Sequence, residues 1–263
     1  MTEDLGRQAG APVRSVDRAL QVLDILARDG ETTLGSLSRE LGVHKSTVSR
    51  LVDVLARHDL VAVPDGVGGY RLGVGCLRLA SATAGGLSVS AVAQSVCDEL
   101  AADLDETCNV AILSERMAVN VCQAEGTTTI AMRNWIGQST SPHATSNGKV
   151  LLAHLTDAEL REVVVGRLPR FTARTIATRD ELRRELAAIR TQGYAYAREE
   201  YEEGLQAVAA PIRDHTGRVV AALSAAGPVY RLSDAEFPRV RDAVIRAADE
   251  VSRRLGHRPS VAG

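Results

Sequence analysis

Aromatic side chains are scarce in this sequence: five Tyr, two Phe and one Trp make up 3% of 263 residues. Its cores must therefore be filled by Val, Leu, Ile and Ala. Long apolar runs are missing too, so no transmembrane helix and no membrane partner are expected. The start, Met1-Thr2-Glu3-Asp4-Leu5-Gly6-Arg7-Gln8, is polar and acidic. It lacks the basic start and apolar stretch of a secretory signal, and a cytoplasmic location is expected. Only four cysteines occur, Cys76, Cys97, Cys108 and Cys122. None forms a Cys-x-x-Cys pair, which excludes a zinc ribbon and a dithiol redox motif. They are expected as reduced, mostly buried thiols, with no metal site. There is no Walker loop, dinucleotide fingerprint, His-Glu-x-x-His or Gly-x-Ser-x-Gly elbow. No catalytic residue and no cofactor is assigned. The acidic pairs Asp105-Glu106 and Glu199-Glu200 read as solvated turns. The formal net charge is −2, so nucleic-acid binding would need a local basic patch.

What is present is a two-part chain, as the length suggests. Ser15 reads as the cap of a first helix carrying Val16, Ala19, Leu20, Leu23 and Leu26, closed by Gly30. Residues before about Pro12 read as disordered. Thr33 then caps a short helix with Leu34, Leu37 and Leu41 at helical spacing. Gly42 supplies a left-handed stop. A second helix starts near His44, with Val48, Leu51, Val52 and Leu55 on one face. Its other face carries Lys45, Ser46, Ser49, Arg50 and Arg57, with Thr47 in the first turn. Two helices joined this way form a helix-turn-helix, whose second helix enters the major groove of double-stranded DNA by its N-terminal residues. Lys45 and Arg50 can neutralise phosphates or donate to guanine, and the hydroxyls are short donors. An ordinary helical hairpin with a solvated face is the competing reading. The next segment of chain argues against it: residues 59–64 and 69–72 read as strands around a turn at 65–69. Three helices closed by a β-hairpin make a winged helix-turn-helix, with Arg71 in the wing near the DNA backbone.

The helix over 73–86 reads as a connection, broken by Gly85-Gly86. Beyond it, 89–103 reads as a helix and 107–113, 118–124 and 127–133 as strands. A loop at 137–145 leads into a helix over 146–155. Thr156 or Asp157 caps the next helix, and Asp180 a longer one ending before Gly193. Strands at 206–213 and 218–226 come next, and Ser233-Asp234-Ala235-Glu236 opens a last helix to about Leu255. Hairpins in place of long crossovers imply an antiparallel sheet in an α+β fold.

These segments together resemble the IclR family of transcriptional regulators. The resemblance is carried by Ser15-Val16-Asp17-Arg18-Ala19-Leu20, Leu41-Gly42-Val43-His44-Lys45-Ser46-Thr47-Val48 and Tyr70-Arg71-Leu72-Gly73. It continues in Ser141-Pro142-His143-Ala144-Thr145-Ser146-Asn147-Gly148-Lys149, Gly204-Leu205-Gln206-Ala207-Val208-Ala209-Ala210-Pro211 and Ala222-Leu223-Ser224-Ala225-Ala226-Gly227-Pro228. It implies a winged helix-turn-helix DNA-binding domain over 12–74, a linker helix over 75–88 and a GAF-like effector domain over 89–258. It further implies a homodimer or homotetramer on a two-fold DNA operator, acting more as repressor than activator. A small organic or aromatic acid would be the effector. DNA contacts are expected from His44, Lys45, Ser46, Thr47, Ser49, Arg50 and Arg71. Effector contacts are expected from Ser146, Asn147, Gly148, Leu205, Ala207, Ser224 and Ala226. A helix start at Ser146 suits an anion independently, through free amides and the helix dipole. Alanine replaces the family's frequent cysteine at 207, acid at 197 and serine at 226, implying a roomier, less polar pocket for a larger or more apolar ligand; alternatively these alanines only pack the sheet. His143 either bonds the effector or fixes the loop, and Trp135 either walls the pocket or packs at a subunit interface. A DNA binder of the nucleoid type, without a ligand, is the remaining alternative; the large second domain argues against it.

Overall fold

The computed structural model describes residues 13–63, 68–81, 86–126 and 135–258. The expected strand at 127–133, the disorder before residue 12 and residues 65–67 of the expected turn lie outside them. The chain divides into two units, Met1–Ala84 and Gly85–Gly263, and no helix among the described residues is long and apolar enough to cross a membrane.

In the first unit, α1 (Arg14–Asp29) begins after Val13, so Ser15 lies inside its first turn and does not cap it. The helix stops at Gly30, whose φ of 71° suits glycine. Then come α2 (Leu34–Glu40), capped by Thr33 Oγ1 on Ser36 N–H, and α3 (Lys45–Arg57). Between them Gly42 takes a φ of 62°, and Ser38 Oγ donates to Val43 O at 2.6 Å, closing the turn. Val22, Ile25 and Leu26 of α1 pack with Leu37, Val48, Val52 and Leu55 in one core. The wing strands are β2 (Val61–Ala62) and β3 (Gly69–Leu72). A further strand, β1 (Thr32–Thr33), pairs with the outer side of β3. Two residues are too few to show alternation, so periodicity does not reveal it. After β3, α4 (Val74–Ser81) ends the described part of this unit.

The second unit is a six-stranded antiparallel sheet in the order β6-β5-β4-β9-β8-β7. Its strands are β4 (Thr107–Ser114), β5 (Met117–Ala124), β6 (Ser139–Thr140), β7 (Ala195–Arg198), β8 (Leu205–Arg213) and β9 (Val219–Pro228). Strands β6 and β7 are additions to the sequence reading: both are short and sit at the sheet edges. One face packs on α5 (Gly86–Leu104) and α9 (Phe237–Arg254) through Val96, Leu100, Val110, Leu223 and Val244. The other face packs on α6 (Ser146–Ala153) and α8 (Arg179–Gln192) through Ala111, Val150, Leu186, Ala209 and Ala222. Side chains alternate between the faces, as strand geometry requires. A register shift at Val110/Ala111 puts Cys122 on the α5 side and Asn120 opposite Ala111. Thr156 caps α7 (Asp157–Val163) with Glu159 in a reciprocal box. Thr178, not Asp180, caps α8, because it is Thr178 that sits just before the helix with Glu181 three residues on. Likewise α9 starts at Phe237, after a turn over 233–236.

Candidate nucleic-acid interface and ligand cavity

The N-terminal end of α3 is built for contact. His44, Lys45, Ser46 and Arg50 are exposed, Thr47 and Ser49 half-buried, and Arg71 is exposed on β3. The side chain of His44, at the cap position, makes no capping bond, so it closes off none of the amides of the first turn. Those amides suit a phosphate. Among the described residues, the unit's ion pairs join Arg28 to Asp29 and Glu40, and Arg78 to Asp59. Lys45, Arg50, Arg57 and Arg71 take part in none of them, which leaves their charge available to DNA.

The second unit holds a cavity between the sheet and the start of α6. Two cross-strand rows form its floor. Ala197 pairs with Ala207, Ala207 with Ala226, and Ala226 with Thr107. In the next row Ser224 pairs with Asn109. The cavity has about 80 Å³ of room for water centres. That is room for more than one water, on the scale of a small ligand. Ser146, Asn147, Leu205, Ala207, Ser224 and Ala226 all line it, together with Ala197 and Trp135. The three alanines thus border this space as well as belonging to the sheet. The expected low polarity holds only for the alanine row, because Thr107, Asn109 and Asn120 of β4 and β5, and Gln206 and Ser224 of β8 and β9, belong to the same lining. Of these, only Ser224 was among the expected contacts. The only sequence signal of the others is polar residues inside apolar strands.

Helix α6 enters this cavity by its N-terminus. Thr145 Oγ1 accepts from Gly148 N–H at 3.2 Å. Gly148 itself does not line the cavity. A Cβ there would lie 2.3 Å from Pro142 Cα, so glycine lets the loop cross the helix. Glycine there serves packing, and Ser146 and Asn147 are the first two helical residues, ahead of the amide that Thr145 caps. Asn147 Nδ2 donates to Ser224 Oγ at 2.9 Å, tying the helix to β9.

Beneath lies Lys149, 1% exposed, whose Nζ reaches Glu200 at 2.7 Å and Glu185 at 2.9 Å. Burial pushes the Glu200 carboxyl up from the ordinary range, against the pull of Lys149. The two acidic pairs are thus each split. Asp105 and Glu199 sit in turns with φ of 55° and 57°. Glu106 and Glu200 are buried, Glu106 meeting Arg231 at 2.7 Å. Reading both pairs as solvated fails because each inner carboxylate has a cation that is remote in sequence.

Trp135 lines the cavity and meets Tyr201 edge-on, 6.2 Å between ring centroids. His143 does not line it; its Nε2 pairs with Pro169 O at 2.9 Å, fixing the loop. Burial lowers the basicity of His143 and His154. Each binds its proton less readily folded than unfolded, where an imidazole titrates at about pH 6.5. Stability therefore falls as pH drops through that value toward their folded pKa. Urea midpoints taken from about pH 8 to pH 6 should decline, and less so in His143→Gln/His154→Gln; parallel curves would contradict this.

Comparison with known proteins covers both units. The model described as "IclR helix-turn-helix domain" matches residues 15–64, and "Bacterial transcriptional regulator IclR C-terminal" matches 81–253. The Escherichia coli HTH-type transcriptional regulator XynR is 34% identical over 247 residues, 93% of this chain and 98% of that protein. The HTH-type transcriptional repressor AllR of Salmonella typhimurium is 34% identical over 97% of this chain and 94% of its own. An IclR homolog from Microbacterium hydrocarbonoxydans, solved as a complex with 4-hydroxybenzoate, superposes with a TM-score of 0.74 at 26% identity, covering 92% of this chain and 98% of that one.

Proposed function

The chain belongs to the IclR family of bacterial transcriptional regulators, and on that premise we propose how its two sites divide the work. It is a ligand-responsive DNA-binding regulator and not an enzyme. The polar face of α3 reads a two-fold operator, with His44, Lys45, Ser46, Thr47, Ser49, Arg50 and Arg71 as the contacts. The cavity under α6 takes a small organic or aromatic acid that changes operator binding. One observation carries this reading: a helix N-terminus opens directly on a cavity floored by Ala197, Ala207 and Ala226. Amides of Ser146 and Asn147 hold the carboxylate, and the alanines set how large the rest can be. The complex of the Microbacterium homolog with 4-hydroxybenzoate agrees with an acid. Repression is the proposed sense of control, as in the repressor AllR, and the cytoplasm the proposed place of action.

A homodimer is the proposed assembly, with a homotetramer built from it as the alternative. Val13, just before α1, and Val16 and Leu20 on it form an apolar stripe, 65%, 56% and 56% exposed, and a second copy would cover it. A single winged domain also carries few cations. Half-sites should lie about 10 base pairs apart or a multiple of that. Sedimentation is expected to give a dimer or tetramer; a monomer that still shields a full operator would defeat this. Thermal shift against a library of small acids separates the regulator from a purely architectural DNA binder, which no acid would stabilise.

Arg50→Ala is expected to weaken operator binding without changing the melting midpoint. Loss of a phosphate contact should lower the salt slope by about one. Loss of a guanine contact should cost roughly 1–3 kcal/mol and relax one base position. Parental affinity in a normally folded variant would rule Arg50 out.

A further inference from the structure

Helices α7 and α8 leave a groove between them in the second unit. From α7 it is lined by Asp157, Leu160, Arg161 and Val164, and from α8 by Arg179, Leu182, Arg183, Leu186 and Arg190. Each set follows helical spacing, so each helix gives the groove a single face. The groove has about 330 Å³ of room for water centres, against about 80 Å³ in the α6 cavity. Its floor is apolar: Leu182 and Leu186 are buried there, with Leu160 and Val164 half-buried above them. Its rim is cationic: the four arginines are exposed, and Asp157 is the one acid in the lining. That is a local excess of cations on a chain with 33 acidic and 31 basic residues.

The fold itself leaves these charges uncompensated. Arg179 donates to Gly166 O at 3.2 Å and Arg190 to Ala153 O at 3.1 Å. A guanidinium has several donors, so one bond to a carbonyl orients it without neutralising it. Arg183 meets Asp180 at 3.5 Å with both side chains largely in water, where solvent and salt weaken the pairing. The Arg161 side chain has no hydrogen bond or ion pair among the described residues.

Spacing then selects the occupant. At roughly 1.5 Å per residue, Arg179 and Arg190 stand about 16 Å apart along α8. One carboxylate or phosphate cannot span that; a row of negative charges can. A nucleic-acid backbone supplies such a row but brings nothing apolar to lay on Leu160 and Val164. An amphipathic helix with acidic borders supplies both, in the manner of a helix lying in a groove. We propose that the α7–α8 groove docks an acidic amphipathic helix of a partner protein. Its apolar stripe covers Leu160 and Val164, and its carboxylates meet the arginines. The regulator then has a protein partner besides DNA and effector.

The test uses the full chain and a fluorescein-labelled helical peptide of about three turns, with leucine along one face and glutamate on both flanks. Anisotropy should show saturable binding. Lysine in place of every glutamate should abolish it, and serine in place of every leucine should weaken it about tenfold or more. Arg161→Glu/Arg183→Glu should also weaken it about tenfold or more. Arg167→Glu/Arg184→Glu reverses two exposed arginines outside the groove lining and should change it by less than about threefold. Should either variant melt early, the peptide series on the parent protein decides by itself. Equal loss in both variants would mean attraction to overall charge and overturn the proposal. A serine peptide that binds as tightly as the leucine one would do the same, as would no binding of the leucine peptide at about 0.1 mM. Loss of non-operator duplex binding in Arg161→Glu/Arg183→Glu, with peptide binding kept, would give the groove to nucleic acid and overturn it too.

Discussion

Lys149→Met is expected to cost about 3–5 kcal/mol of unfolding free energy, the largest loss of any single change considered. Lys149 is 1% exposed and Glu200 is 9% exposed. Removing the cation leaves Glu200 buried with only the Arg198 N–H, at 3.3 Å, still donating to it. A charge in that position has lost its water and its partner together. The double variant Lys149→Met/Glu200→Gln should recover most of the loss, since a neutral amide needs no counter-ion. The pH dependence gives a second signature. In the single variant the folded pKa of Glu200 lies further above its unfolded value, so the folded form holds its proton more tightly. The variant should regain stability as pH falls through that folded pKa and lose it as pH rises. Denaturant titration of the three proteins checks this. A loss below about 1 kcal/mol, or no recovery in the double variant, would mean that the pair contributes nothing net.

Ala207→Leu should abolish the effector response while leaving operator binding intact. Ala207 is the middle of the Ala197–Ala207–Ala226 row, so a leucine there fills the space above both neighbours. Overpacking can cost about 1–3 kcal/mol, and melting must be followed alongside. Ser146→Asp should block the response by another route, placing a negative charge where the carboxylate of the effector would sit. The operator face belongs to the other unit, so neither change should touch basal affinity. A parental response in both variants would place the effector elsewhere.

Much of this molecule is legible because its elements announce themselves locally. The α3 stripe of Val48, Val52 and Leu55, the Thr33 cap and the Gly42 turn are patterns within a dozen residues, and all appear as read. Asp180 reads as a cap in place of Thr178 because two good capping residues lie close together. Only the glutamate three positions on from Thr178 separates them. Strands β1 and β6 have two residues each and exist through their partners β3 and β5. The Lys149–Glu200 pair spans 51 positions in sequence, and nothing local marks either residue as buried. Asn109 and Asn120 reach the cavity side through strand pairing and a register shift, which composition does not encode.

The central claim is that occupancy of the α6 cavity governs operator binding. It is tested most directly by titrating one sample of protein and fluorescent operator with an identified effector acid. Trp135 emission and operator anisotropy are read together. Both are expected to change with the same midpoint, and Ala207→Leu to abolish both changes while binding operator as tightly as the parent. Release of the operator with Trp135 unmoved, or release undiminished in Ala207→Leu, would contradict it.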